Sequence, residues 1–205
     1  MITASEALQR LKEGNQRFVA GVQSVETLIK QRQRGDFVGG QEPFAIILGC
    51  SDSRVPAEMV FDQGLGDLFV IRVAGNIVAP SQIGSVEFAA ERYGSSLVVV
   101  LGHSMCGAVM ATLDELEHPT DSQSSNVLSI VNRIKPTVEP FFETELRNDP
   151  HKLLETSIHA NINASTNHLM HGSQTLEQLI QQGKLMIVGA EYSLETGKVT
   201  FFDGN

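Results

Sequence analysis

Three side chains capable of acid–base or metal chemistry follow one apolar run at every second position. The run from Phe44 to Gly49 has the length of a buried strand and ends in Cys50, Asp52 and Arg54. If the chain stays extended there, a thiol, a carboxylate and a guanidinium share one side. In an open α/β sheet, ligand-binding and catalytic sites lie beyond the carboxyl ends of the strands. This stretch is therefore the first candidate for a site.

A second apolar run ends in the same way. The run 97–101 is followed by a glycine and then by His103 and Cys106. If the two runs form adjacent parallel strands, these side chains meet Cys50 and Asp52 in one pocket. Two sulfurs, an imidazole and a carboxylate are a ligand set typical of Zn²⁺. The sequence thus predicts a zinc site whose protein ligands are Cys50, His103 and Cys106.

Asp52 has two open roles, as the fourth ligand of a closed site or as a neighbour of the metal. A bidentate pair with Arg54 would keep the aspartate ionised and turned away, which frees the fourth position for water. A structural zinc site gains nothing from a guanidinium beside its ligands. In the open form the same aspartate could accept a proton or hydrogen bond from a metal-bound hydroxide.

The 205 residues suit one well-packed domain, residues 1–205, of ordinary globular composition. The net charge is −9 and the basic residues are scattered, so nucleic acid is not expected as a partner. The first residues lack the regions of a secretory signal, and no apolar run reaches membrane-spanning length. We expect a cytoplasmic protein that binds no membrane and keeps its two cysteines for metal.

The spacing of apolar residues and the residues that cap helices predict the helices and strands that position this site. These elements indicate an α/β domain. An N-terminal helical arm over 1–40 is expected to lie outside the sheet, where it could clasp a partner subunit, and 41–205 is expected to form the zinc-binding core.

Individual residues predict where helices begin and end. Pro56 is expected at the first position of a helix, Ser104 as an N-cap, and Pro136 and Pro140 as breaks. Phe88 is expected to face inward. Strands are predicted near 44–49, 68–72, 97–102, 184–190 and, antiparallel at the edge, 198–203. Helices are predicted over 3–21, 25–33, 57–61, 81–93, 105–116, 126–138, 152–170 and 173–182.

Two motifs of the chain are Cys50-Ser51-Asp52-Ser53-Arg54 and, later, Gly102-His103-Ser104-Met105-Cys106-Gly107. In this order they resemble the signature of the β-class carbonic anhydrases, and the resemblance covers nearly the whole chain. The resemblance implies four parallel strands with an antiparallel fifth, and an obligate homodimer often paired into tetramers. It implies one Zn²⁺ per chain on the three predicted ligands, and hydration of carbon dioxide to bicarbonate by zinc-bound hydroxide with an Asp52–Arg54 dyad.

The same resemblance implies residues that bind substrate. Gln41, nine residues before the first cysteine of the motif, matches a glutamine that hydrogen-bonds the substrate across the dimer interface. Phe69, Ala74 and Phe88 fall where the family lines its apolar carbon dioxide pocket, although it often has Val and Tyr at the last two positions. Gly107 gives the backbone room beside the metal. The alternative for the three apolar residues is ordinary core packing.

One departure from the family bears on the metal. The subgroup regulated by bicarbonate carries a Trp three residues before the first zinc cysteine, whereas this chain has Ile47 there and no Trp. We therefore expect the open, water-ligated form of the site near neutral pH.

Two other functions stay open. The site could act on carbon disulfide or carbonyl sulfide, since similar proteins use them. The chain could also be a structural zinc or bicarbonate-sensing module without activity. Arg54 and Gln41 argue against the second alternative, because a scaffold needs neither.

Overall fold

The computed structural model of the chain describes residues 2–32, 38–119 and 124–202. Two leading helices precede an alternation of strands and helices. The strands are β1 (Ala45–Gly49), β2 (Leu68–Arg72), β3 (Leu97–His103), β4 (Met186–Tyr192) and β5 (Val199–Phe201). The helices are α1 (Ala4–Val19), α2 (Val25–Arg32), α3 (Ala57–Val60), α4 (Pro80–Tyr93), α5 (Gly107–Glu117), α6 (Ser125–Val138), α7 (Pro150–His171) and α8 (Gln174–Gln181). Short 3₁₀ helices lie at Ala74–Asn76, Glu139–Glu143 and Glu145–Asn148.

The five strands form one sheet in the order β2-β1-β3-β4-β5. The first four are mutually parallel and β5 runs antiparallel to β4, which confirms the predicted α/β architecture. β1 lies between β2 and β3, and its last residue, Gly49, is level with Arg72 on one side and Leu101 on the other. The two apolar runs that precede the candidate ligands are therefore adjacent strands.

The sheet is buried on both faces. β1 and β3 are buried along their whole length, as their uninterrupted apolar sequences require. Helices α4 to α8 pack on one face, against alternate residues such as Ile46 and Val98. Helices α1 and α3 pack on the other face, against Ile47 and Val99. No helix in the described part of the chain is long and apolar enough to cross a membrane.

The first helix lies outside the sheet as predicted and covers one of its faces. Thr3 caps it, and the side chain of Glu6 reaches back to the backbone N–H of Thr3, which completes a capping box. Ala7 and Leu11 are fully buried on the sheet. A contact between this arm and a partner subunit stays a prediction.

A buried carboxylate ties the leading helices to the loop after α3. Asp62 accepts a hydrogen bond from Nε of Arg17 and one of 3.0 Å from the backbone N–H of Ser24. The hydroxyl of Thr27 donates to the carbonyl oxygen of Asp62 at 2.9 Å. Because the Asp62 side chain is almost completely buried, these partners take the place of hydrogen bonds to water.

The predicted start of α5 is wrong. Ser104 does not cap it, because its backbone N–H extends the pairing with β4 and its hydroxyl accepts a hydrogen bond from the backbone N–H of Leu194. Met105 then turns the chain with a left-handed φ of 55°. The helix therefore begins at Gly107 with Cys106 as its N-cap.

Other boundaries need smaller corrections. Pro56 is the N-cap of α3 rather than its first residue, because its carbonyl already accepts from the helix. The backbone of Lys184 still bonds to α8, so β4 begins at Met186. α6 continues through Pro136 and ends two residues later, and Phe88 is 51% exposed rather than inward. The predicted ends at residues 33 and 203 lie outside the described residues.

We expect Arg17→Met to lower the free energy of unfolding by about 2–3 kcal/mol, because it leaves the Asp62 carboxylate buried without its cation. Urea denaturation at constant metal content measures this change. Arg92→Met, at an exposed position of α4, is the matched control. A loss below about 0.5 kcal/mol for Arg17→Met would show that the pair adds nothing to the fold.

Candidate active site

Three metal-ligating side chains meet beyond the ends of β1 and β3. Cys50 follows the last residue of β1, His103 is the last residue of β3, and Cys106 follows three residues later. One potential ligand atom from each lies within 4.8 Å of the other two, and all three residues are buried. The structure thus brings together the three residues that the sequence predicts as metal ligands.

The ring orientation of His103 suits a ligand. Its Nδ1 donates a hydrogen bond to the carbonyl oxygen of Ser104 at 2.9 Å, so in the neutral ring Nε2 carries the lone pair that a metal ion would use. Nε2 is buried and has no hydrogen-bond partner among the described residues. A buried lone pair facing two sulfurs is the arrangement that a metal ion completes.

The two cysteines shift each other's pKa in opposite directions. A hydrogen bond from the Cys106 thiol, helped by His103 and the backbone N–H of Gly75, outweighs burial and lowers the pKa of Cys50 to about 4. The same hydrogen bond, together with burial, raises the pKa of Cys106. A divalent cation bound between the sulfurs would replace that proton and allow both thiolates to form. Both cysteines are free, so the donor set fits Zn²⁺.

The turn before α5 places Cys106 at a helix N-terminus. The positive φ of Met105 sets the direction in which the chain enters the helix, and Gly107, its first residue, is exposed beside Cys106. The backbone amides of Val109 and Ala108 act to lower the pKa of Cys106 and so oppose the effects of Cys50 and burial. The helix therefore favours the thiolate form that binds metal.

Asp52 and Arg54 form a bidentate pair at the mouth of the cluster. Nε of Arg54 lies 2.9 Å from Oδ1 of Asp52, and Nη2 lies 2.7 Å from Oδ2. The backbone N–H of Arg54 adds a third hydrogen bond of 2.9 Å to the carboxylate. The Arg54 guanidinium holds the pKa of Asp52 well below its usual range. The aspartate is thus ionised at every pH of interest, with Oδ2 only 3.8 Å from Nε2 of His103.

Arg72 supports the loop that carries this pair. Its guanidinium donates to the carbonyl oxygens of Cys50, at 3.1 Å, and of Asp52. In sequence Arg72 matches a residue of the pocket that binds regulatory bicarbonate in a subgroup of the family, or else a common structural arginine; its contact with this loop arises through the pairing of β1 with β2. An arginine at the carboxyl end of a predicted strand is the one signal that pointed to it.

The predicted substrate-binding residues fall into two groups. Ala74 and Gly107 adjoin the metal cluster, since Ala74 precedes the glycine whose N–H contacts Cys50 and Gly107 follows Cys106. Phe69 pairs with Ile46, which is four residues before Cys50, or about 13 Å away along the strand at ~3.3 Å per residue. The structure therefore does not bring Phe69 to the metal cluster of its own chain.

Phe69 and Phe88 belong instead to an aromatic cluster completed by Tyr93. The ring centroids are 6.3 Å apart for Phe69 and Phe88, 6.0 Å for Phe69 and Tyr93, and 5.7 Å for Phe88 and Tyr93. Nε2 of Gln41 donates a 2.9 Å hydrogen bond to the hydroxyl of Tyr93. Gln41, Phe69 and Phe88 thus form a second group beside β2, at the edge of the sheet. Tyr93 was missed because in sequence it only ends a helix.

Comparison with known proteins gives the same family throughout. The family model described as "Carbonic anhydrase" matches residues 45–199. The protein "Carbonic anhydrase 2" of Mycobacterium tuberculosis is 38% identical over 202 residues, which cover 96% of this chain and 92% of that protein. The "Carbonic anhydrase" of Mycolicibacterium smegmatis is 37% identical over 193 residues, which cover 94% of this chain and 90% of that protein.

Solved structures agree on the fold. The β-carbonic anhydrase CcaA superposes with a TM-score of 0.75 at 26% identity, covering 96% of this chain and 95% of that one. One of two tetrameric β-carbonic anhydrases from Sordaria macrospora has a TM-score of 0.75 at 22% identity, covering 97% and 98%. Sequence and fold lead to one conclusion: this chain belongs to the carbonic anhydrase family, and within it to the β class.

Proposed function

We propose that this chain catalyses the reversible hydration of carbon dioxide to bicarbonate and a proton, with zinc held by Cys50, His103 and Cys106. One observation carries the proposal: three buried metal ligands lie within 4.8 Å of one another beside an ionised aspartate that an arginine holds in a bidentate pair. Family membership and relatives named carbonic anhydrase support the same reaction.

The chain's own residues would position the reacting water and accept its hydrogen bond. Zinc held there would supply a bound water of lowered pKa, which is about 7 in carbonic anhydrases whose zinc has three histidine ligands and higher beside two thiolates, because thiolates donate more charge. Asp52, kept ionised by Arg54, would accept a hydrogen bond from that water and so orient it. Because Arg54 binds both carboxylate oxygens, it would hold Asp52 off the metal and leave the fourth ligand position available.

We further infer that the active unit is a homodimer, which could pair into a tetramer. β2 is an edge strand of the sheet, and Phe88 beside it is half exposed. Gln41 and the aromatic cluster lie beside Phe69, about 13 Å along the strands from Cys50 at ~3.3 Å per residue, and so do not complete their own metal cluster. Pairing two copies at this edge would bury the cluster and present Gln41 to the partner's site. The tetrameric β-carbonic anhydrases of Sordaria macrospora are consistent with such assembly.

The first prediction from the proposed function concerns the metal. Purified protein should contain stoichiometric zinc, and Cys106→Ala should reduce it at least tenfold, because a tetrahedral site loses one of its three protein ligands. Elemental analysis of folded, gel-filtered protein measures this. Ser51→Ala, at an exposed neighbour of Cys50, should keep its zinc. Folded wild-type protein free of transition metal would refute the zinc assignment.

The second prediction concerns catalysis. Asp52→Asn should lower kcat/KM for carbon dioxide hydration by about 10²-fold or more, because a neutral amide is a weaker hydrogen-bond acceptor than a carboxylate and cannot form the ion pair with Arg54. Stopped-flow assays at matched zinc content measure the loss. Glu58→Gln removes the same charge from an exposed site on α3 and should leave the rate unchanged.

The same assays separate the alternative functions. Carbon disulfide and carbonyl sulfide are tested beside carbon dioxide, and faster turnover of either sulfur compound would change the substrate assignment. A wild-type protein that holds zinc but hydrates nothing would favour a structural or sensing role.

The third prediction tests the shared site with two inactive variants. Gln41→Ala retains the metal but lacks the glutamine, and Cys106→Ala retains the glutamine but lacks the metal. If Gln41 acts in the partner's site, remixing the unfolded variants should restore about a quarter of wild-type activity, since random pairing gives mixed dimers with one intact site. Each variant refolded alone is the control. Recovery no greater than the sum of the controls would place Gln41 in its own chain's site or outside both.

A further inference from the structure

Gly75 lies directly behind the metal cluster and touches it through its backbone. Its N–H donates a hydrogen bond to Sγ of Cys50 over 3.4 Å. Its φ of 70° is left-handed, and a Cβ there would lie 2.8 Å from Cδ1 of Ile134 and 3.0 Å from Cβ of Ala108. Only glycine fits this position without strain.

The other side of Gly75 is held by a helix from the far part of the chain. Nδ2 of Asn161, on α7, donates a 2.8 Å hydrogen bond to the carbonyl oxygen of Gly75. Asn161 is 3% exposed, so this bond is shielded from water. Sequence reasoning gave Asn161 no role.

The two hydrogen bonds together fix the conformation of Gly75. Its φ and ψ are the only soft torsions between its N–H and its carbonyl group. Glycine has more backbone freedom than any other residue, so one bond alone would leave the N–H free to turn away from the sulfur. With the carbonyl anchored by Asn161, the N–H is aimed at Cys50.

We propose that Asn161 is a positioning residue of the zinc site, which acts through Gly75 on the sulfur of Cys50. This inference rests on the proposed function, because it requires a metal on that sulfur. An N–H donated to a metal-bound thiolate withdraws electron density from it and orients it, and such outer partners tune affinity by 10–100-fold. The asparagine thus acts on the metal without touching it.

Cobalt-substituted protein gives a readout that a purely structural residue would not move. In Asn161→Leu the sulfur-to-cobalt charge-transfer band should shift to lower energy, because the thiolate becomes richer in electrons. The dissociation constant for cobalt, measured by competition with a chelator, should rise about tenfold. Asn161→Ser is the second variant if leucine prevents folding, since its hydroxyl can bond back to its own helix as Thr166 does on α7.

Ser157→Ala is the matched control. Ser157 lies one turn earlier on α7, is fully buried, and its hydroxyl has no hydrogen-bond partner among the described residues. This variant should leave the band and the affinity unchanged. Folded Asn161 variants with a wild-type band and affinity would overturn the inference. A wild-type protein that binds neither cobalt nor zinc would instead refute the proposed function.

Discussion

The parallel pairing of β1 with β3 is the constraint on which the site depends. Cys50 comes from the end of one strand, and His103 and Cys106 come from the end of the other. Their donor atoms meet because the strands are parallel neighbours whose carboxyl ends lie side by side. A slip of one residue would turn every side chain of a strand to the opposite face. The fully buried faces of both strands oppose that slip, so core packing secures the geometry of the ligands.

The fold was predictable where one local pattern decides the outcome. The observed bounds of β2 match the prediction, because an apolar run of strand length is bounded on both sides by polar or turn residues. The capping box at Thr3 and the left-handed Gly94 after α4 are local signals of the same kind. The three metal ligands were predictable for a related reason, since they stand directly after such runs.

Other features depend on contacts that no local pattern contains. A serine before a helix usually caps it, but the hydroxyl of Ser104 is taken by Leu194 from beyond β4. The left-handed turn at Met105 was not predictable, because methionine rarely adopts that conformation. Arg72 and Asn161 reach the site only through the assembled sheet and helix layer. The separation of Phe69 from the metal cluster likewise follows from strand register rather than from motif spacing.

The distance along the chain between Cys50 and the other two ligands links metal occupancy to conformational stability. In an unfolded chain His103 and Cys106 remain close to each other, but Cys50 is separated from them by α3, β2, a 3₁₀ helix, α4 and most of β3. An ion that requires all three ligands would bind the folded state alone, and by mass action it would raise the free energy of unfolding once its free concentration exceeds its dissociation constant. If the proposed zinc site is correct, the supply of metal would set the stability of the folded chain as well as its activity.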